Sequence, residues 1–234
     1  MGHFLPYYIR YAAYHEFDGI WLNLKHRAMD QREVQSVLSM CHQHDIDAMV
    51  RAPTQERTKL YRYFEDGASG LLMPLVDDVQ EARAIARSVK FPPIGNRGID
   101  GAGLDADFAI DAENFTNDAN AETFVILQIE TLNALQQAEQ IAGVEGVDGI
   151  FVGPADLSLR LGLADGAPSL DEAMQLVADA AASQGKAWGT AGGGVEEWKK
   201  YRQMGAQLLI GAGDFALRDV LEGAKNSMDE ALGD

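Results

Sequence analysis

The 234-residue chain predicts a (β/α)8 barrel whose first strand is short or missing. Three observations predict it. Short apolar runs rich in Val, Ile, Leu and Phe alternate with longer amphipathic segments, the pattern of parallel strands covered by helices. Several runs are entered alike, in "EFDGIW", "DGASGLL", "GVDGIF" and "MGAQLLI", where a helix ends and Gly or Asp turns the chain into the sheet. Polar residues then collect at the carboxyl ends of several different strands, where barrels of this TIM type carry their sites. An open doubly wound sheet is the structural alternative.

Taken in order, a helix is expected near residues 6–15, yet only about five residues precede it, where a (β/α)8 barrel needs a strand. Either "GHFL" supplies a stub or the chain begins late. Strands follow at "GIWLNL", "AMVRA", "GLLMPLV", "FVILQIE", "GIFVGP", "AWGTA" and "LLIGAG". Helices are expected near 31–43, 56–65, 78–88, 131–141, 170–184, 195–204 and 214–231. Residues 91–122 form one long irregular stretch, read as a lid or subunit contact rather than a plain linker. A single domain over residues 1–234 accounts for all of this.

Composition narrows the function classes. A 47% hydrophobic content supports a full core. With 36 acidic against 19 basic side chains, the net charge of −17 repels a phosphate backbone and an anionic membrane alike. Neither nucleic acid nor membrane is an expected partner, and the few cations, Arg51 and Arg97 among them, gain interest as anion holders. One cysteine, Cys41, forms no internal disulfide; the start "MGHFLPYYIR" lacks the features of a signal peptide, and no apolar run reaches membrane-spanning length. A soluble cytoplasmic protein is expected.

The chemistry lies at strand ends. In "FVILQIET", alternation puts Gln128 and Glu130 on one side, with Glu130 at the carboxyl end. The next strand delivers Asp156 to the same rim, with no cationic side chain nearby in sequence. Two unpaired carboxylates call for a hard divalent ion, Mg²⁺ or Mn²⁺ before Co²⁺, which keeps waters and leaves room for substrate oxygens. The structural alternative is helix capping, by Glu130 on the following helix and by Asp156 on "DLSLRLG".

The segments "LQIET", "VEGVDGIFVGPADLS" and "KFPPIGNRG" resemble the signatures of the HpcH/HpaI aldolases, the class II pyruvate-dependent aldolases of the phosphoenolpyruvate/pyruvate barrel superfamily, with consistent spacing from about residue 17 to 220. The resemblance implies a divalent metal on Glu130 and Asp156, chelated by pyruvate. It also implies that the backbone around Gly153, Pro154, Ala155 and Asp156 holds the substrate carboxylate beside Gln128, and that Arg51 in "MVRAP" stabilises an enolate oxygen. His26 matches the catalytic histidine, and Glu65 matches its acidic partner, with Asp66 adjacent. The family's assembly, a trimer of dimers, implies a homo-hexamer to which the last helix contributes.

One departure stands at the histidine. The family reads Asp-x-Glu-His where this chain reads "NLKH", so Asn23 and Lys25 replace two acids. A nearby Lys⁺ lowers the pKa of His26 by repulsion. Lys25 also raises a Schiff-base mechanism, which alternation from His26 and the idle carboxylates count against.

Lesser candidates are read as structural. Cys41, His42 and His44 in "MCHQHDID" end a helix rather than bind metal. The glycines of "TAGGGVEEW" and "IGAGDF" form turns, with a phosphate cup as the alternative. Asp100, Asp105, Asp107 and Asp111 form a solvated face, and Arg97 either reaches a second substrate or a neighbour, or anchors its loop.

The expected activity is reversible cleavage of a 4-hydroxy-2-oxo acid to an aldehyde and pyruvate, or a close analogue such as hydroxypyruvate. Two alternatives stay open: a coenzyme A thioester lyase of the same superfamily, and a catalytically silent keto-acid-binding homologue.

Overall fold

The computed structural model describes residues 1–110, 113–211 and 213–233. Seven strands lie side by side in chain order, all parallel: β1 Gly19–Asn23, β2 Asp47–Arg51, β3 Gly70–Met73, β4 Phe124–Ile129, β5 Gly149–Val152, β6 Ala187–Ala191 and β7 Leu208–Ile210. Helices α1 Pro6–Tyr14, α2 Gln31–Gln43, α3 Arg57–Glu65 and α4 Val79–Val89 cover the first half. After them come α5 Phe115–Glu122, α6 Leu132–Gln136, α7 Ala138–Ala142, α8 Pro154–Leu161, α9 Leu170–Ser183, α10 Val195–Gln203 and α11 Leu217–Leu232. The result is a nearly closed α/β barrel.

The strands form because β-branched and apolar residues there are covered on both faces. All four residues of β3 and of β5 are buried. Outside the sheet a continuous core runs under the helices, from Ile9 and Val37 through Leu71 and Val125 to Met174 and Val177. Inside the barrel a smaller cluster of Met49, Leu72, Ile126 and Phe151 is flanked by Trp21 and Leu208. Trp21 meets Phe151 edge to face at 5.8 Å. This plug closes the barrel floor, so the polar residues one step further along β1, β2 and β4 sit above it, at the mouth.

The expected missing strand has a physical counterpart. Asn23 N–H donates to the Met1 carbonyl at 2.9 Å and the Met1 amino group donates to the Trp21 carbonyl at 2.6 Å, two rungs beside β1. The amides of Gly2 and His3 both donate to the Asp214 carboxylate, at 2.9 and 3.0 Å, just past β7. Among the described residues no backbone ladder joins β7 to β1; residues 1–3 and Asp214 clasp the gap instead.

Helix starts follow capping chemistry. Asp30 with Glu33 and Ser169 with Glu172 form capping boxes on α2 and α9. The expected helix at 131–141 breaks into α6 and α7 at Gln137, and α8 is a full helix rather than a turn. The stretch 91–122 contains a 3₁₀ segment, Leu104–Ala109, and α5. Asp111, one of the four loop aspartates, lies outside the described residues, as does Ala212 in "IGAGDF".

Candidate active site

Glu130 follows β4 directly and is fully buried. It does not cap the next helix, since Thr131 does that, accepting from the Ala134 amide at 3.0 Å. Asp156 is not a cap either: Gly153 holds that position on α8, and Asp156 stands in the first turn. Neither carboxylate is therefore spent on capping a helix. Glu130 Oε1 accepts from the Leu75 amide at 2.8 Å. Leu75 reaches it with φ of 55°, a left-handed conformation that costs a side-chain-bearing residue roughly 1–2 kcal/mol.

The pair is not unpaired, as the sequence suggested. Lys25 Nζ donates to Glu130 Oε1 at 3.1 Å and stands 3.9 Å from Asp156 Oδ2. Arg51 Nη2 lies 3.7 Å from Glu130 Oε2, and Arg160, one helical turn after Asp156, donates to its Oδ1 at 3.1 Å. The cations come from just past β1, from β2 and from α8, so proximity in sequence misses the first two. Alternation along β1 carries the signal for Lys25, because Trp21, Asn23 and Lys25 share one side of an extended chain. For Arg160 the signal is the i,i+4 spacing from Asp156.

Arg51 is buried, its guanidinium 5.5 Å from the centre of the Trp21 ring. Four polar atoms at the mouth are buried without a hydrogen-bond partner: Asn23 Oδ1, Arg51 Nε, Gln128 Oε1 and Glu130 Oε2. Unsatisfied groups of this kind cost stability, and a site that carries both donors and acceptors suits a small oxygen-rich ligand. Gly153 completes the wall. A Cβ there would stand 2.5 Å from Glu130 Oε2 and 2.7 Å from Gln128 Nε2, so only glycine lets the strand-to-helix turn pass this close.

His26 is exposed, in the bend that follows β1, while its neighbour Lys25 is nearly enclosed. Desolvation, then the Arg51 and Lys25 charges, push its imidazole below the ordinary 6.5, while Asp156 pulls it upward. For Asp156, burial raises the carboxyl, but the Arg160 hydrogen bond and the Lys25, Arg160 and Arg51 charges together hold it below the usual range.

Glu65 ends α3 and so sits by the amino ends of the strands, away from the mouth. The charges that act on it are Arg97, Asp105, Arg62 and Asp100, and burial raises its pKa. It does not meet His26 within the chain, a departure from the pairing the motif implied. Asp66 is engaged by Gln35 and Arg62. Arg97 is buried, paired with Asp105 and set over Phe91 and Phe64, at 4.5 and 5.6 Å. It anchors its loop, and Asp105 is a buried partner rather than part of a solvated face.

The remaining candidates are structural. Cys41 is buried, which pushes its thiol up to about 12, and His44 closes α2. The Gly193 amide donates to Glu197 at 2.6 Å, a carboxylate standing where a phosphate cup would place its anion. Among the described residues no group of three or more His, Cys, Asp or Glu side chains gathers into a metal centre, and no helix is long and apolar enough to cross a membrane.

A family model described as HpcH/HpaI aldolase/citrate lyase matches residues 3–216, the span that contains this carboxylate pair. The chain belongs to that family. Within it, the chain is 31% identical over 215 residues to a hydroxypyruvate/pyruvate aldolase of Pseudomonas aeruginosa, covering 91% of this chain and 80% of that protein. It is 35% identical over 165 residues to a 4-hydroxy-2-oxovalerate aldolase of Rhodococcus jostii, a match that covers 70% of this chain and spans 63% of the relative's length. The crystal structure of the HpcH/HpaI aldolase from Desulfitobacterium hafniense superposes with a TM-score of 0.89 at 28% identity, covering 97% of this chain and 90% of that one. These HpcH/HpaI relatives are aldolases, carbon–carbon lyases, and the fold agrees across nearly the whole chain.

Proposed function

We propose that this family member is a pyruvate aldolase that cleaves and forms 4-hydroxy-2-oxo acids. The observation that carries the proposal is the convergence of Arg51, Lys25, Glu130 and Asp156 over the aromatic plug, with unsatisfied polar atoms facing the space between. In cleavage, a base takes the proton from the 4-hydroxyl, the C3–C4 bond breaks, and its electron pair passes toward the 2-oxo group. An aldehyde leaves, and protonation of the enolate at C3 gives pyruvate, or hydroxypyruvate where C3 bears a hydroxyl. His26 is the proton carrier, its imidazole pushed below its ordinary pKa by desolvation and then by the Arg51 and Lys25 charges. Arg51 meets the charge that develops on the 2-oxo oxygen. The α8 amides at Ala155 and Asp156 receive the carboxylate, with Gly153 and Pro154 shaping the turn. Gln128 adds a polar contact from β4. Glu65 has no part in this scheme within one chain.

The family is one of divalent-metal-dependent aldolases, and the resemblance assigns Mg²⁺ or Mn²⁺ to Glu130 and Asp156. The donor set of this chain does not fit that ion as it stands. Both carboxylates already face the Lys25 ammonium, and three cations, Lys25, Arg51 and Arg160, surround two acids. A dication added there meets net repulsion.

Assembly belongs to the same proposal. No residue of α11 is buried, and Leu217, Val220, Leu221, Met228 and Leu232 are exposed along it. That apolar face supports contact with another copy in a cytoplasmic hexamer, which light scattering would read as six chains.

The direct test is deuterium exchange into the methyl group of pyruvate, followed by proton NMR. The native chain is expected to catalyse exchange and Arg51→Ala to lose it. Absence of exchange in the folded native chain, with 2-oxobutyrate and hydroxypyruvate equally inert, would overturn the assignment.

A further inference from the structure

The Lys25 side chain is nearly enclosed, 13% exposed, and its ammonium lies between the two acids of the site. Glu130 cannot turn away from it. Its Oε1 is fixed by the Leu75 amide, its side chain is fully enclosed, and Gly153 closes on its other oxygen. Reaching both carboxylates from one point is the task of a bound cation, and Lys25 Nζ already stands at such a point. The ion pair is also hard to displace: breaking it leaves the enclosed Glu130 carboxylate with only the longer Arg51 contact at 3.7 Å. A hydrated dication must displace the ammonium, keep its waters and tolerate Arg51 at once.

The "NLKH" segment moves charge in the same direction. Asn for Asp and Lys for Glu, relative to the motif this chain otherwise resembles, make the two positions more positive by three charges, one from the first change and two from the second. That excess is comparable with the charge a divalent ion brings.

We infer that Lys25 is a built-in cation of the site, holding Glu130 and Asp156 together and meeting the substrate's oxo-acid oxygens beside Arg51, so that this chain works without a divalent metal. The catalytic half of the inference rests on the aldolase assignment above; the metal-exclusion half does not. Two cationic side chains, Lys25 and Arg51, then face the developing negative charge. Lys25 acts here through its position between the two carboxylates, as an ion-pair partner and not as an amine nucleophile.

Mn²⁺ titration followed by electron paramagnetic resonance tests the exclusion without reference to activity. The native chain, stripped with a chelator, is expected to show no site-bound Mn²⁺ at millimolar concentration. Lys25→Glu is expected to bind Mn²⁺ at least about a hundredfold more tightly, since a like charge beside the ion has become an opposite one. That binding should vanish in the double variant with Glu130→Gln. Native binding abolished by Glu130→Gln alone would overturn the inference. This measurement needs only the native protein and Glu130→Gln, so it stands even where Lys25→Glu fails to fold.

Pyruvate methyl exchange in excess chelator tests the catalytic half. Undiminished exchange by the native chain is expected, with partial activity retained in Lys25→Arg and lost in Lys25→Gln. Exchange that stops with the chelator and returns with Mn²⁺ would overturn the inference and leave the aldolase assignment intact. Absence of exchange under every condition, with Mn²⁺ still excluded until Lys25 is replaced, would overturn the aldolase assignment and leave the exclusion standing. Borohydride trapping of pyruvate on Lys25 would overturn the cation role in favour of an imine.

Discussion

Lys25 and His26 are consecutive, yet one is enclosed among carboxylates and the other faces solvent. The pair joins a fixed charge to a titrating group, and the fixed charge tunes its neighbour. Desolvation comes first in lowering the pKa of His26, then the Arg51 and Lys25 charges. If His26 carries the proton as a base, the acid limb of exchange against pH falls below 6.5 in the native chain. Removing the Lys25 charge stabilises the imidazolium, so Lys25→Gln raises the His26 pKa and shifts the limb to higher pH. NMR titration of the imidazole in both proteins checks the sign even where the variant has lost turnover. An unshifted histidine in Lys25→Gln would remove the electrostatic link.

At the scale of elements, the junction between β5 and α8 decides the geometry of the acids. Gly153 lets α8 begin against Glu130 and Gln128, and a methyl group there would enter the space of both. Gly153→Ala is expected to cost about 1–3 kcal/mol in denaturant unfolding, as overpacking does, and to abolish exchange by displacing Glu130. A variant with native exchange rates would show that the turn has slack.

Much of this was legible because it follows from chain order and alternation. Glu130 and Asp156 end successive strands, Gln128 shares a side with Glu130, and the seven strand segments carry their own apolar pattern. The pairing of Lys25 was not read, although Trp21, Asn23 and Lys25 share a side, because its partners lie on β4 and α8, across the barrel. The conformation of Leu75, which aims an amide at Glu130, has no signal in "MPLVDD". Helix α5 was missed for a related reason. "FTNDANAE" has almost no apolar periodicity, and its place is set by tertiary bonds. The Asn120 side chain accepts from Phe91 N–H at 2.8 Å and donates to its carbonyl at 3.1 Å, while Lys90 reaches the Asn120 carbonyl at 3.0 Å.

For the whole molecule, closure of the barrel depends on one carboxylate. Burial raises the pKa of Asp214, but the amides of Gly2 and His3 and the His3 side chain hold it below 3.8. A depressed folded pKa contributes stability that is present above the unfolded value and lost as pH falls through the folded one. Asp214→Asn is therefore expected to be less stable than the native chain at pH 7, with the difference narrowing as pH drops below 3.8. Urea midpoints at a series of pH values check this, and a constant difference would assign Asp214 no linkage.

A barrel fastened by a clasp can open at its seam without breaking a single rung between paired strands. Such an opening would swing β1, with Lys25 just beyond its end, while β4 and β5 keep Glu130 and Asp156 in place. Breathing of the seam thus becomes a clock for the site, setting how often the acids lose their lysine. Amide hydrogen exchange would time it: the outer edges of β1 and β7 are expected to exchange ahead of β3 to β5, and Asp214→Asn to quicken the edges alone. A protein of this design tunes the lifetime of its internal salt link through a residue on the far side of the chain's sequence, without altering any group in the site itself.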